Sequence, residues 1–233
     1  FNIREVTAPT GMVLNTEIHT AELVYAGQEI EITETSASFT NERQKVKVSL
    51  SKVLEQNEKF GIGMNGEVTA VTFGLYAAEE LTAADGCTIP ADGLIEILSV
   101  SADGIANCKT DLPFGNYYLK EMSTDSHYLL NGEIYTFSFE YAGQDTAWVE
   151  IAGNDGAAIE NKLIYGEVKG LKKDDSGNAL GGAVIGLFRA DETEFTTDTA
   201  ILTATSAEDG SFSFAQVPYG NWLVHEISAP ESF

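Results

Sequence analysis

Basic residues are scarce in this chain. Its 233 residues include 13 Lys and Arg against 36 Asp and Glu, which gives a formal net charge of −23 at pH 7. A chain this acidic is repelled by the phosphates of nucleic acids and of anionic membranes, which are therefore poor partners. No apolar run in the sequence is long enough to cross a bilayer. These two features argue against nucleic-acid binding and against membrane insertion.

Residue combinations that support ordinary catalysis are missing as well. The three histidines, His19, His127 and His225, are scattered, with neither Ser-His-Asp nor metal-ligand spacing around them. The Gly-Gly pair at 181–182 is not followed by the Lys-Ser/Thr of a phosphate loop. The acidic stretch 174–178 lacks the spacing and the distal Glu of a calcium loop, and it is more typical of a solvated turn. We therefore expect no catalytic site, no metal and no cofactor.

Only two cysteines are present, too few for a disulfide scaffold. Cys87 and Cys108 both lie near turns and enclose a loop of about 20 residues, whose closure could stabilise the fold. An oxidising exterior would permit a bond between them. The alternative is a pair of unpaired thiols, one or both of them buried. We take a Cys87–Cys108 disulfide as the expectation.

An internal repeat organises what is present. Residues 112–121 (LPFGNYYLKE) align with residues 217–226 (VPYGNWLVHE), and residues 13–20 (VLNTEIHT) align with residues 129–136 (LLNGEIYT). The opening residues repeat the end of the first pattern around a shared glutamate. A repeat of this kind indicates an array of similar domains. The alignment divides the chain into the back part of a module (1–43), a complete module (44–164) and the front part of another (165–233).

Local patterns indicate β-structure throughout. Residues 45–52, 29–32 and 134–139 alternate apolar and polar side chains, as half-buried strands do. Asp-Gly and Asn-Gly pairs, typical of tight turns, separate such runs. Only residues 76–84 and 191–199 could form short helices. About seven short strands per module predict a β-sandwich.

The first strand of the complete module carries an unexpected lysine. Lys52 shares its face with Val46, Val48 and Leu50, because side chains two residues apart point the same way in a strand. A lone lysine on an apolar face is costly unless it is neutral, paired or covalently modified. The simpler alternative is a strand end at which the amine reaches water.

Two further polar residues share this inward placement. Glu121 follows Leu119 on matching parity near the end of an aromatic strand, and Asn161 follows Ile159 in the last strand of the module. Three residues that avoid burial, one from each of three strands, could therefore meet in one core. This convergence favours a specific role over the simpler alternative.

Five stretches together resemble a known family: residues 166–174 (GEVKGLKKD), 180–188 (LGGAVIGLF), 209–212 (DGSF), 217–222 (VPYGNW) and 226–230 (EISAP). They are similar to the Cna-B-type domains, also called SpaA-like or prealbumin-like, of Gram-positive surface proteins and pilins. The resemblance covers essentially the whole chain. It implies an all-β fold of tandem inverse immunoglobulin-like β-sandwiches. In many members it also implies a spontaneous Lys–Asn isopeptide crosslink promoted by Glu or Asp.

The resemblance gives each residue of the complete module a role. Lys52 would be the nucleophile, Asn161 the electrophile and Glu121 the promoting acid. Burial favours a neutral amine and a protonated carboxyl group, so the amine can attack the amide while the acid moves a proton and ammonia leaves. The protein would act once on itself and would not be an enzyme. The sequence departs from the family at residues 122–125 (MSTD), where Ala-Pro is usual.

The incomplete modules each hold part of the same set. The first has Glu5 and Asn41, and the last has Lys172 and Glu226, with Lys173 disfavoured by its parity. The front of one molecule could receive the back of another, head to tail, because an open sandwich exposes strand edges. Frayed ends without such association are the alternative.

The function expected from these observations is structural. The chain would be a stalk segment of an extracellular adhesin or pilin-like protein, anchored to the cell wall in its full-length form. Its partners would be neighbouring modules, joined rigidly because the linkers at 42–44 and 162–165 are poor in Gly, Ser and Pro. One alternative is a ligand-binding module for glycan or host protein. Another is an accessory domain of a secreted polysaccharide-degrading enzyme.

Overall fold

The computed structural model describes residues 1–83 and 85–230. Within them the chain is almost entirely β, which confirms the expected fold class. The strands are β1 (Asn2–Arg4), β2 (Ile18–Thr20), β3 (Lys45–Leu54), β4 (Thr72–Ala77), β5 (Leu81–Thr82), β6 (Thr88–Ile89), β7 (Leu94–Ser99), β8 (Ile105–Asn107), β9 (Gly115–Ser123), β10 (Ile134–Phe139), β11 (Trp148–Ala152), β12 (Ile159–Asn161), β13 (Tyr165–Leu171), β14 (Val184–Arg189), β15 (Leu202–Thr205), β16 (Ser211–Pro218) and β17 (Trp222–Ser228). Two 3₁₀ turns span Glu67–Ala70 and Gly153–Gly156.

Two layers enclose the core of the central part of the chain. One layer is antiparallel, in the order β10-β9-β4-β7. In the other, β3 pairs antiparallel with β8 along one edge and parallel with β11 and then β12 along the opposite edge. Side chains along β3 alternate between the core and the solvent, as they do in a strand with one buried face. Val46, Val48 and Leu50 are buried, while Lys47 is exposed. The buried apolar cluster between the layers runs from Val46 to Ile159.

A second apolar cluster lies where the last part of the chain meets the central one. Phe60 and Tyr128, from central loops, are buried with Ile185, Leu187 and Phe214 of the following strands. Glu55 fixes the connection, since its carboxylate accepts hydrogen bonds from the backbone N–H of Leu163 and the hydroxyl of Tyr165, both at 3.1 Å. These contacts make the junction a packed interface.

The linker at residues 42–44 also contacts loops of the central part of the chain. Gln44 is fully buried at this junction, and its side chain bonds the backbone of Ala142, Gly143 and Thr146. The guanidinium of Arg43 donates to the carbonyl of Leu112 at 2.7 Å. Because the buried side-chain amide of Gln44 has hydrogen-bond partners for both its nitrogen and its oxygen, its burial costs little folding free energy. The same bonds hold the linker in one position.

The two segments that the sequence left as candidates for short helices fold differently. Residues 76–84 form the end of β4 and the short strand β5, although Ala84 lies outside the described residues. Residues 191–199 form turns, in which the backbone N–H of Thr196 donates to the hydroxyl of Thr199 at 3.1 Å. Local side-chain bonds of this type compete with helical ones. Neither segment is a helix.

The strand expected at residues 29–32 does not form. Ile30 and Ile32 are 54% and 73% exposed, so their apolar face packs on no layer among the described residues. A strand pattern needs such a layer to become stable. Leu23, Val24 and Tyr25 are exposed in the same region.

Candidate functional site

The inward face of β3 ends in a buried amine. Lys52 is 2% exposed, and its Nζ donates to the carbonyls of Val53 at 2.8 Å and Ile159 at 3.0 Å. Burial lowers the pKa of Lys52 from 10.5 to about 8, and the carboxylates of Glu121 and Glu160 partly oppose this change. About a tenth of the amine is therefore neutral at pH 7, far more than for an ordinary lysine.

Glu121 reaches the lysine from the opposite layer. It lies in β9 opposite Phe73 of β4 and is 1% exposed. Its Oε2 lies 3.9 Å from Nζ of Lys52, and its Oε1 accepts a hydrogen bond of 2.6 Å from Nδ2 of Asn161. One carboxyl group thus contacts both of the other residues.

Asn161 completes the cluster from β12. In the parallel pairing, Ile159 lies beside Lys52, so Asn161 is two residues further along on the same face. Asn161 is 1% exposed, and its Oδ1, like Oε2 of Glu121, has no hydrogen-bond partner among the residues that the structure describes. The three residues singled out from the sequence therefore lie together in the core.

Sequence reasoning missed two contributors to this cluster. The backbone N–H of Asn131 donates to Oε1 of Glu121 at 3.1 Å, and Oγ1 of Thr124 accepts from Nδ2 of Asn161 at 3.0 Å. The repeat could have revealed the first, because Asn15 at the matching position donates to Glu5 at 2.8 Å. For Thr124 the repeat shows only that alanine stands at the matching positions 8 and 229, which does not by itself report a contact with Asn161.

The incomplete sets also come together. Nδ2 of Asn41 donates to Glu5 at 2.6 Å, and Nζ of Lys172 lies 3.2 Å from Oε2 of Glu226. The side chain of Lys172 is 24% exposed, whereas that of Lys52 is fully buried. Water therefore reaches the Lys172 pair far more easily than the complete cluster.

The expected disulfide is not formed in the structure. Cys87 and Cys108 are both free thiols. Sγ of Cys108 instead donates to Oε2 of Glu96 at 3.2 Å, while Cys87 is exposed in the loop between β5 and β6. Desolvation and the nearby Glu96 carboxylate raise the pKa of Cys108 to about 12, so its thiol stays protonated.

The described part of the chain has no helix with the length and apolar character needed to cross a membrane.

The chemistry available to the buried cluster is acyl transfer within the chain. It holds a nucleophilic amine, an amide and an acid that contacts both. No group of three or more His, Cys, Asp or Glu suited to a metal occurs among the described residues.

Comparison with solved structures shows a fold shared with the Bacillus anthracis TIE protein. The Bacillus anthracis TIE protein is 20% identical, with a TM-score of 0.63 over 98% of this chain and 36% of that chain. A streptococcal ancillary pilin is 19% identical, with a TM-score of 0.34 over 99% of this chain and 66% of that chain. A C-terminal fragment of the pilus adhesin SpaC from Lactobacillus rhamnosus GG is 13% identical, with a TM-score of 0.44 over 78% of this chain and 76% of that chain. This chain thus spans about a third of the TIE protein's length.

Comparison by sequence identifies the family. A search of curated proteins found no match. The family model SpaA, described as a prealbumin-like fold domain, matches residues 71–154 and again residues 166–233, well over half of the chain. The resemblance found in the sequence motifs is therefore confirmed, and the chain belongs to the SpaA family of prealbumin-like fold domains.

Proposed function

We propose that the chain is a stalk segment of an extracellular, pilin-like or adhesin-like protein, and that an isopeptide bond joins Lys52 to Asn161. Membership of the SpaA family supports the structural role. The observation that carries the crosslink is the buried contact of Lys52 and Asn161 with one carboxyl group, that of Glu121. A buried lysine is costly to keep as a charged amine, and an amide bond removes that cost.

The proposed reaction needs no external reagent. The neutral Nζ of Lys52 attacks Cγ of Asn161, so the Nζ–Cγ bond forms and the Cγ–Nδ2 bond breaks. One proton moves from Nζ to Nδ2, carried by the carboxyl group of Glu121, and ammonia leaves. Each chain reacts once and regenerates no site, which is why we do not propose an enzyme.

Module boundaries and partners belong to the same proposal. We propose the ranges 1–43, 44–164 and 165–233. The central apolar cluster, which begins at Val46 and ends at Ile159, supports the middle one. The partners would be neighbouring modules of a longer, wall-anchored protein. Head-to-tail association between copies stays a prediction, for which the exposed Ile30 and Ile32 offer an apolar surface.

The mass of the intact folded chain tests the crosslink. After reduction of any disulfide, the wild-type chain should be lighter than its sequence mass by one ammonia. A peptide map should then place the bond between the peptides that contain Lys52 and Asn161. Glu121→Gln, which removes the acid and keeps the shape, should restore the full mass.

Glu160→Gln provides the matched control. Glu160 is the neighbour of Asn161 in β12, and it is a solvent-exposed carboxylate that also acts on Lys52. This variant should still lose ammonia, because Glu160 makes no hydrogen bond to Asn161 in the structure. A wild-type chain with the full sequence mass would contradict the proposal.

Ligand binding is the second candidate function, and one observation favours it. Trp148 is 49% exposed and lines two adjoining clefts of about 430 and 530 Å³. An aromatic side chain away from the core is what a binding module would need. The amines of Lys45 and Lys47 already lie over the ring, 5.6 and 5.4 Å from its centroid. Because these lysines cover the ring, the structural role remains the better supported one.

A further inference from the structure

Thr124 follows β9 and lies beside the reacting amide. Its Oγ1 accepts a hydrogen bond of 3.0 Å from Nδ2 of Asn161, while Glu121 accepts the other from the same nitrogen at 2.6 Å. An amide nitrogen has two hydrogens, so these two acceptors satisfy both. With both held, the side-chain amide of Asn161 cannot rotate, and its plane is fixed relative to Lys52.

A β-bulge turns Thr124 toward the core. Phe73 of β4 pairs with Glu121, but Thr72 pairs with Ser123, so Met122 is an extra residue in β9. One extra residue reverses the alternation of faces beyond it. Thr124 therefore lies on the side of Glu121, although simple parity places it on the opposite side. The third module has the same irregularity, with Ile185 opposite Glu226 and Val184 opposite Ser228.

The other modules have alanine at this position. Ala8 and Ala229 stand three residues after Glu5 and Glu226, as Thr124 stands three residues after Glu121. In the first module, where no hydroxyl is available, Nδ2 of Asn41 donates instead to the backbone carbonyl of Val13 at 2.9 Å. The central module thus uses a side chain for a contact that the first module makes with its backbone.

We propose that Thr124 is a positioning residue for isopeptide formation, whose hydroxyl holds the amide of Asn161 in the plane in which Lys52 attacks it. This inference rests on the proposed function. Correct orientation of two reacting groups contributes strongly to rate, and loss of one orienting contact is felt mainly as slower reaction. The hydroxyl accepts from the nitrogen that later leaves as ammonia, so it contacts the leaving group before the reaction begins.

A refolding time course tests the role. Chains kept unfolded in denaturant from the time of synthesis are diluted to start folding, quenched in acid at intervals and weighed by mass spectrometry. Thr124→Val keeps the shape and removes the hydroxyl, and it should slow the loss of ammonia by about tenfold or more. Thr124→Ser keeps the hydroxyl and should react within about threefold of wild type.

Folding is measured separately in the Lys52→Met background, where no crosslink can form. There, both variants should still unfold cooperatively, Thr124→Val at a lower denaturant concentration because it leaves one N–H of the buried Asn161 amide unpaired. Only Thr124→Val should speed hydrogen exchange at the Asn161 side-chain amide. Thr124→Val reacting at the wild-type rate would overturn this inference alone. A wild-type chain that never loses ammonia would overturn it together with the proposed function.

Discussion

Lys52 carries a buried amine whose charge depends on the pH of the solution. Its pKa is lowered to about 8 chiefly by desolvation, with Glu121 and Glu160 acting in the opposite direction. Only the neutral amine can attack the amide. Crosslinking should therefore accelerate with pH, by nearly tenfold per unit well below about pH 8, and level off above it.

Refolding at several pH values between about 6 and 9 measures this dependence, with the fraction of crosslinked chain read from its mass. Glu160→Gln removes one carboxylate that raises the lysine pKa, so its profile should shift to lower pH. A rate that does not change with pH would mean that deprotonation of Lys52 does not limit the reaction.

At the scale of single elements, the Asp-Gly turn after β7 supports the end of β3. Gly104 has a φ of +76°, and a Cβ there would lie 2.4 Å from the carbonyl oxygen of Lys52. Its own carbonyl accepts a hydrogen bond of 2.7 Å from the Lys52 N–H. Gly210 is placed in the same way against Lys172, so the contact recurs with the repeat.

Gly104→Ala should destabilise the chain by about 2 kcal/mol or more and slow crosslinking, because the backbone must shift at Lys52 itself. Gly86→Ala is the matched control, since Gly86 also has a positive φ, of +84°, but a Cβ added there would meet nothing within 4 Å. It should cost only about 1 kcal/mol. Denaturant unfolding in the Lys52→Met background gives both values. Equal losses for the two variants would show that the contact with Lys52 is unimportant.

The elements also show what the sequence could predict. A strand with one buried face has a period of two, so the alternation in β3 and β9 was enough to place Lys52 and Glu121 inward. The bulge at Met122 leaves no mark in the pattern, which is why Thr124 was missed. Residues 29–32 alternate as a strand does, yet no strand forms there. A strand also needs a neighbouring layer to pack against, and local sequence does not report whether one is present.

At the scale of the whole molecule, the described junction between the central and last parts rests on a few side chains. Arg189 donates to the carbonyl of Phe60 at 3.0 Å, and the Phe60 ring meets the Trp222 ring edge-on, with centroids 4.9 Å apart. Together with the bonds of Glu55 described above, these contacts support the expectation of a stiff connection. That expectation stays a prediction.

Arg189→Ala should loosen this junction, because the carbonyl of Phe60 loses its partner and Trp222 loses most of the side chain of its cross-strand neighbour. Cleavage by a protease within residues 162–165 should then become several-fold faster. Lys169→Ala removes an exposed ion pair with Glu167 in the same module and should leave cleavage unchanged. Identical cleavage of both variants would indicate that the linker, not the junction contacts, sets the rate.

The parallel pairing of β3 with β12 has a mechanical consequence. Because β3 and β12 run in the same direction, the chain enters this two-layer sandwich at one end and leaves it at the other. Pulling on the chain therefore loads their hydrogen bonds in shear, all at once, and does not peel them apart one by one. The 108 residues between Lys52 and Asn161 would extend to roughly 370 Å. A covalent bond between those two side chains would route the force past that whole length and keep it folded under load.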